Sequence, residues 1–132
     1  MTAPTVLIVE DNLLNRRLFR EVLSLEGYGV IEAEDGEAAL EAARDGRPAL
    51  ILMDLQLPRR SGLDAARALK RAAPLAHIPV IAVTALARPS DAREARRAGC
   101  DGYLAKPVTP DALLAAVRDH LPEPAPRGAP GG

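Results

Sequence analysis

Residues 49–54 read ALILMD, an apolar run that ends in the carboxylate of Asp54. A run of this kind is typical of a strand that is buried on both faces of a parallel sheet. An ionised carboxylate is expensive to bury inside such a sheet. At the carboxyl end of the strand it can open into the crevice where open α/β sheets bind ligands. We therefore predict that Asp54 lies at a ligand-binding edge.

Three further apolar runs also end in polar residues. They are residues 6–9, 80–83 and 103–105, which are followed by Glu10-Asp11, Thr84 and Lys106 respectively. The carboxyl ends of parallel strands lie at one edge of a sheet. Together the runs would bring three carboxylates, a hydroxyl and an ammonium group to that edge.

Strand-like and helix-like segments alternate along the chain. The predicted strands are 6–9, 30–33, 50–53, 80–83 and 103–105, and the predicted helices are 14–26, 37–44, 63–73, 91–98 and 110–121. Such alternation with right-handed crossovers implies an α/β fold, a doubly wound parallel sheet with helices on both faces. Four Pro and three Gly among residues 122–132 indicate a disordered tail or a linker stub.

Two helices carry distinctive apolar faces. The stripe on the first helix consists of Leu14, Leu18, Val22 and Leu25, joined by Phe19 and Leu23. The fourth helix offers a core only Ala92, Ala95 and Ala98. A buried alanine removes less apolar area from water than a leucine does, so we expect this helix to be weakly anchored and able to move.

Bulk properties exclude several classes of protein. A chain of 132 residues fits one domain, and a net charge of −1 argues against non-specific binding to nucleic acid or to a membrane surface. No apolar stretch is long enough to span a membrane, and residues 1–4 do not resemble a signal peptide. The single cysteine, Cys100, excludes an internal disulfide. We expect a soluble cytoplasmic protein.

The acidic residues at the predicted edge favour a particular chemistry. Glu10, Asp11 and Asp54 would repel one another unless a cation joined them, and oxygen ligands favour a hard ion such as Mg²⁺. Mg²⁺ commonly acts with phosphoryl groups, whose oxygens a lysine and a hydroxyl can contact. The simplest assembly is a carboxylate that accepts a phosphoryl group beside Mg²⁺.

These residues resemble one family, the receiver domain of two-component response regulators. The matching segments are Glu10-Asp11-Asn12, residues 53–58 with Ser61-Gly62, Thr84-Ala85, residues 98–103 and Lys106-Pro107. The resemblance covers nearly everything except the tail. It implies a flavodoxin-like receiver fold with sheet order 2-1-3-4-5 over residues 4–121, and it leaves residues 122–132 as the tail or linker stub.

The resemblance also implies the metal site and the phosphoacceptor. Asp54 would accept the phosphoryl group, and together with Asp11 it would bind Mg²⁺. Glu10 would help to hold the ion through water, and the backbone carbonyl of Gln56 would be a further ligand.

Other roles concern the phosphorylated state. The resemblance implies that Lys106 pairs with the phosphoryl group and that the Thr84 hydroxyl and the Ala85 N–H donate to it. Tyr103 would be the aromatic switch residue whose rotamer follows Thr84. The Lys106–Pro107 peptide bond is expected to be cis, which X-Pro bonds permit. Leu86 is bulky and apolar, and with Gln56 it occupies a place associated with phosphoryl lifetime, so we predict slow self-dephosphorylation.

The predicted function is that of a single-domain bacterial response regulator in a phosphorelay. Its donor would be a histidine kinase or a histidine phosphotransfer protein, and it would be a switch rather than an enzyme, although it assists its own phosphorylation and dephosphorylation. Phosphorylation would bias a pre-existing equilibrium between two states. Output would be contact with an unknown downstream protein through the fourth helix, fifth strand and fifth helix, because the tail is too short for a helix-turn-helix.

Three alternatives stay open. The chain could be a receiver excised from a hybrid histidine kinase. The pair Asn15-Arg16 resembles one that is frequent in the receivers of such kinases and in their single-domain relatives, although it also suits the polar face of a helix. It could be a phosphatase with an aspartate nucleophile, but such enzymes usually carry a second Asp where Gln56 stands. A flavin-binding module would need a phosphate loop after the first strand, where Glu10-Asp11 would repel a phosphate without a metal.

Overall fold

The computed structural model describes residues 4–57, 61–85 and 88–121. Within these ranges strands and helices alternate. The strands are β1 (Thr5–Val9), β2 (Gly29–Ala33), β3 (Leu50–Asp54), β4 (Val80–Thr84) and β5 (Gly102–Ala105). The helices are α1 (Leu13–Leu25), α2 (Gly36–Gly46), α3 (Gly62–Arg71), α4 (Pro89–Arg97) and α5 (Pro110–His120). The predicted elements are therefore confirmed, with small differences in their ends.

The strands form one parallel sheet in the order β2-β1-β3-β4-β5, as predicted. Its register aligns the ends of neighbouring strands, since Val9 pairs with Met53 and Thr84 pairs with Ala105. Asp54 and Thr84 are themselves the last residues of their strands. The residues at these strand ends and just beyond them consequently meet at one edge of the sheet.

The sheet separates two apolar cores. Residues of the central strands alternate between them, as the two-residue period of a strand requires: Ile51 and Met53 face one core, and Leu50 and Leu52 face the other. The first core is closed by α2, α3 and α4, and the second by α1 and α5. All five residues of β3 are buried, which confirms that this strand is covered on both faces.

Side-chain caps and a left-handed glycine set the helix ends. The hydroxyls of Ser61 and Thr109 accept hydrogen bonds from backbone N–H groups at the start of α3 and α5. Gly27, after α1, has φ of 94°, a conformation that glycine adopts without steric cost. Asn12 caps α1 in the same way.

The predicted apolar stripe of α1 is confirmed at Val22, Phe19 and Leu23, which pack on the core. It is wrong at Leu14, Leu18 and Leu25, which are exposed. Leu14 and Leu25 are 75% and 78% exposed, whereas Phe19 and Leu23 are buried. The helix carries leucines around much of its circumference, and it packs on the sheet through the narrower Phe19–Leu23 face. In α4 the predicted alanine face is present, because Ala95 is the buried residue of that helix, and its weak anchoring stays a prediction.

Some sequence predictions lie outside the described residues. They concern Leu86, Pro58 and the tail at residues 122–132. Among the helices of the described part of the chain, none is both long and apolar enough to cross a membrane.

Candidate functional site

Residues at the ends of β1, β3, β4 and β5 form the candidate site. Glu10, Asp54 and Thr84 are at most 3% exposed. Such burial is rare for the two carboxylates, and it requires compensating contacts. The backbone N–H of Lys106 donates to the carbonyl oxygen of Thr84 at 2.8 Å, and so it continues the pairing of β5 beyond its last residue. Asp11 follows Glu10 and is exposed to solvent.

Three carboxylates converge at this edge. Oxygen atoms of Glu10, Asp11 and Asp54 all lie within 4.8 Å of one another. Like charges at this spacing repel, and only a nearby cation makes the ionised cluster favourable. The donor set consists of oxygen alone, which fits a hard divalent ion such as Mg²⁺. The sequence prediction that these residues come together is met by the geometry.

The ammonium group of Lys106 lies between two of the carboxylates. Its Nζ atom is 2.8 Å from Oε1 of Glu10 and donates to Oδ2 of Asp54 at 3.1 Å. Burial alone would lower the pKa of Lys106, but pairing with Glu10 and the charge of Asp54 outweigh it and raise the pKa above its usual value. The lysine is therefore held as a cation inside the acidic cluster.

The two oxygens of Asp54 have different partners. Oδ1 accepts a hydrogen bond from the backbone N–H of Gln56 at 2.9 Å, whereas Oδ2 accepts from Lys106. The start of α3 presses on the same strand end: a Cβ atom added to Gly62 would lie 2.1 Å from the carbonyl oxygen of Asp54. Backbone and side-chain contacts together fix the orientation of the carboxylate.

Tyr103 lies in β5 opposite Ala82, two residues before the level of Thr84. It is partly exposed and packs against the core that is closed by α4. Partial burial and the negative charge of Asp91, in the first turn of α4, raise the pKa of its phenol. Tyr103 thus packs on the side of the sheet that carries α4, two residues before the level of the strand ends. The Lys106–Pro107 peptide bond is cis, as expected.

Sequence reasoning assigned no role in the site to two residues that organise the first acidic turn. The guanidinium group of Arg16 donates to the carbonyl oxygen of Glu10 at 2.9 Å. The backbone N–H of Asn12 donates to Oε2 of Glu10 at 3.2 Å. The pair Asn15-Arg16 was the available signal, but its spacing alone does not separate this contact from an ordinary polar helix face.

Known proteins are similar to this chain in sequence. Residues 6–118 match the family model of the response regulator receiver domain. The polar-differentiation response regulator DivK of Brucella anthropi is 45% identical over 117 residues, which cover 89% of this chain and 95% of that protein.

Solved structures give the same result. The chemotaxis protein CheY4 of Vibrio cholerae superposes with a TM-score of 0.86 at 29% identity, covering 92% of this chain and all of that one. The receiver domain of the sensor histidine kinase PA1611 of Pseudomonas aeruginosa superposes with a TM-score of 0.83 at 33% identity, covering 90% and 98% respectively, and it has a magnesium ion coordinated in its active-site cleft. The chain described here belongs to the receiver domains of response regulators.

Proposed function

We propose that this domain accepts a phosphoryl group on Asp54 in a histidine-to-aspartate phosphorelay of the bacterial cytoplasm. The observation that carries the proposal is the pairing of one buried, oriented carboxylate with Lys106 inside a cluster of three acids. An ordinary surface aspartate has neither the burial nor the neighbouring charges of this group. The donor is a histidine kinase or a histidine phosphotransfer protein.

The proposed reaction is the attack of an Asp54 oxygen on the phosphorus atom of a phosphohistidine. A P–O bond forms, the P–N bond breaks, and its electron pair leaves with the imidazole nitrogen. Asp11, Asp54 and the backbone carbonyl of Gln56 would hold Mg²⁺, with Glu10 acting through water. The bound ion would supply positive charge that offsets the charge of the phosphoryl oxygens.

The other residues act on the phosphorylated aspartate. Lys106 already contacts Oδ2 of Asp54, so a short movement would bring its ammonium group to the phosphoryl oxygens. The Thr84 hydroxyl and the Ala85 N–H serve as further donors at the end of the next strand. As Thr84 moves towards the phosphoryl group, Tyr103 changes rotamer, and the population shifts between two states of the domain.

Two surfaces would serve the donor and the target. Leu14 and Leu18 are exposed on α1, and Leu18 lines a cavity together with Ala85 and Lys106, so a donor that docks on α1 would lie beside the site. Output uses the face formed by α4, β5 and α5, and the packing of Tyr103 against the core that is closed by α4 supports this choice. Its occupant is a downstream protein.

The domain would act as a single-domain regulator rather than as part of a hybrid histidine kinase. Support comes from the Brucella relative, which aligns over 95% of its own length and so consists almost wholly of this domain. The boundaries of the gene in the genome would decide between the two arrangements. In either arrangement residues 4–121 form the receiver and residues 122–132 a tail or linker.

The decisive experiment is intact-mass analysis after incubation with acetyl phosphate, with and without Mg²⁺. Wild type should gain one phosphoryl group only with Mg²⁺, Asp54→Asn should gain none, and the control Asp64→Asn should behave as wild type, because Asp64 is exposed on α3. A gain that persists in Asp54→Asn would overturn the assignment of Asp54. If wild type refuses the small donor, a phosphorylated histidine phosphotransfer protein replaces it, and no transfer from that donor would overturn the function.

The same samples separate a switch from a phosphatase. A switch releases the phosphoryl group of its own Asp54 but does not turn over a small phosphoester, and the absence of a second Asp at Gln56 supports this choice. We expect slow release, because Leu86, a residue outside the described ranges, is bulky. Sustained hydrolysis of p-nitrophenyl phosphate that Asp54→Asn abolishes would instead favour the phosphatase.

A further inference from the structure

Arg16 connects the first acidic turn to the neighbouring strand. Its guanidinium group donates to the carbonyl oxygen of Glu10 at 2.9 Å, to Oε1 of Glu32 at 3.1 Å and to Oε1 of Glu34 at 3.3 Å. The side chain is only 11% exposed. One planar guanidinium group thus donates hydrogen bonds to three acceptors from two chain segments.

The turn held by Arg16 carries the acidic cluster. Glu10 also donates its backbone N–H to the carbonyl oxygen of Ala33 at 3.1 Å, so both of its peptide groups are fixed to the β2 side of the molecule. Asn12, the next residue but one, caps α1. The chain between β1 and α1 is therefore clamped on both sides of Asp11, whose own side chain is exposed.

We infer that Arg16 is a positioning residue for the divalent-cation site, an inference that rests on the function proposed above. Arg16 touches the carbonyl oxygen of Glu10 and carries the same sign of charge as the ion, so it aids ion binding through geometry and not through attraction. By fixing the peptide group between Glu10 and Asp11, it holds their carboxylates at the spacing that one ion requires. Partners that orient ligands in this way typically contribute tenfold or more to metal affinity.

Electrostatics and positioning predict opposite signs for the loss of Arg16. Removing a positive charge near a cation site strengthens cation binding, and leaving Glu32 and Glu34 unpaired makes the surroundings more negative still. Loss of positioning weakens cation binding, because the carboxylates of the turn sample other arrangements. The direction of the change in Mg²⁺ affinity therefore separates the two effects.

The test is isothermal calorimetry of Mg²⁺ with the full chain for wild type, Arg16→Gln, Arg16→Lys and the control Arg17→Gln. Arg17 is the exposed neighbour on the same helix, so its substitution removes the same charge without freeing Glu10. We expect Arg16→Gln to bind Mg²⁺ about tenfold more weakly, Arg16→Lys to fall between it and wild type, and Arg17→Gln to match wild type or bind slightly more tightly. Thermal unfolding without Mg²⁺ establishes that each variant is folded.

Two controls keep this inference separate from the proposed function. If wild type binds no Mg²⁺, or if Asp11→Ala binds it as well as wild type does, the assignment of the metal site is overturned. If wild type binds but Arg16→Gln binds as tightly or more tightly, the positioning role is overturned while the site stands. Should Arg16→Gln not fold, Arg16→Lys decides in the same way. The amide resonances of Asp11 and Asn12 give a second readout, and they should shift in Arg16→Gln but not in Arg17→Gln.

Discussion

The ammonium group of Lys106 donates a hydrogen bond to the carboxylate of Asp54 at 3.1 Å, and the same group lies 2.8 Å from Glu10. The lysine comes from the end of the last strand, whereas its two partners come from β1 and β3. It thus occupies oxygens that a divalent ion would also use. The proposed Mg²⁺ site and this ion pair consequently compete for the same acceptors.

Substitution of Lys106 should therefore separate ion binding from phosphoryl transfer. In Lys106→Met the competing ammonium is absent, and we expect Mg²⁺ affinity to rise about fivefold, which corresponds to about 1 kcal/mol for a partly exposed ion pair. The rate of phosphorylation by acetyl phosphate should fall, because the cation beside Asp54 is lost. Calorimetry and intact mass measure the two effects. The control is Arg71→Met, which removes an exposed charge on α3. Weaker Mg²⁺ binding in Lys106→Met, with unchanged binding in the control, would contradict the competition.

Gly62 tests how tightly α3 is seated on the end of β3. An added Cβ would lie 2.1 Å from the carbonyl oxygen of Asp54 and 2.7 Å from the Cα atom of Leu55, both of them backbone atoms. We expect Gly62→Ala to lower the free energy of unfolding by about 2–3 kcal/mol. Urea denaturation measures it. In the control Gly46→Ala the new methyl meets only the end of the Ile31 side chain, so equal losses in the two variants would refute the steric explanation.

Asp101 should make stability depend on acidic pH. Burial raises the pKa of its carboxyl, but the hydrogen bonds from the Val80 N–H and from Lys70 outweigh it and lower the pKa below its usual value. A lowered pKa in the folded state means stability that is present above the unfolded value of about 4 and lost as the pH falls through the folded value.

Asp101→Asn measures this contribution. At pH 7 we expect a loss of about 1 kcal/mol, the low value for a charged hydrogen bond because the side chain is 43% exposed. The difference from wild type should shrink below pH 4. Urea denaturation across pH 3–7 measures it, with the exposed Asp45→Asn as the control. A difference that stays constant over this range would rule out the ionised carboxylate as its source.

Helix α4 should exchange its amide hydrogens faster than α1. Its buried residue is Ala95, whereas α1 buries the larger Phe19 and Leu23. Opening of α4 therefore exposes less apolar area to water than opening of α1 does, and the free energy of this local opening is smaller. Hydrogen exchange followed by mass spectrometry checks this. Equal protection of the two helices would show that alanine packing does not make α4 the mobile element.

The fold followed from the sequence because its signals are local and repeated. Apolar runs such as residues 50–53 fix the strands, and the parallel arrangement then places Asp54 and Thr84 at one edge without any knowledge of side-chain packing. The acidic cluster was predictable for the same reason. The carboxyl ends of parallel strands lie at the same edge of the sheet, and this does not depend on how the helices pack.

Side-chain contacts between distant segments were not predictable in this way. On α1 the spacing of Leu14 and Leu18 is as regular as that of Phe19 and Leu23, and only the fit against the sheet decides which pair is buried. The contact of Arg16 with Glu10 depends on a rotamer that also satisfies the acids of β2 and the turn after it. The spacing of apolar residues therefore predicts neither the buried face of α1 nor the contact of Arg16.

The origin of the site residues in different strands also has a consequence for the newly made chain. Glu10 and Asp54 precede Lys106 in the chain, and the lysine that contacts them stands directly after β5, which pairs with β4. A partly made or truncated molecule without β5 therefore has acids that lack their counter-charge. The full set of site residues is thus brought together only when the last strand of the chain has taken its place at the edge of the sheet.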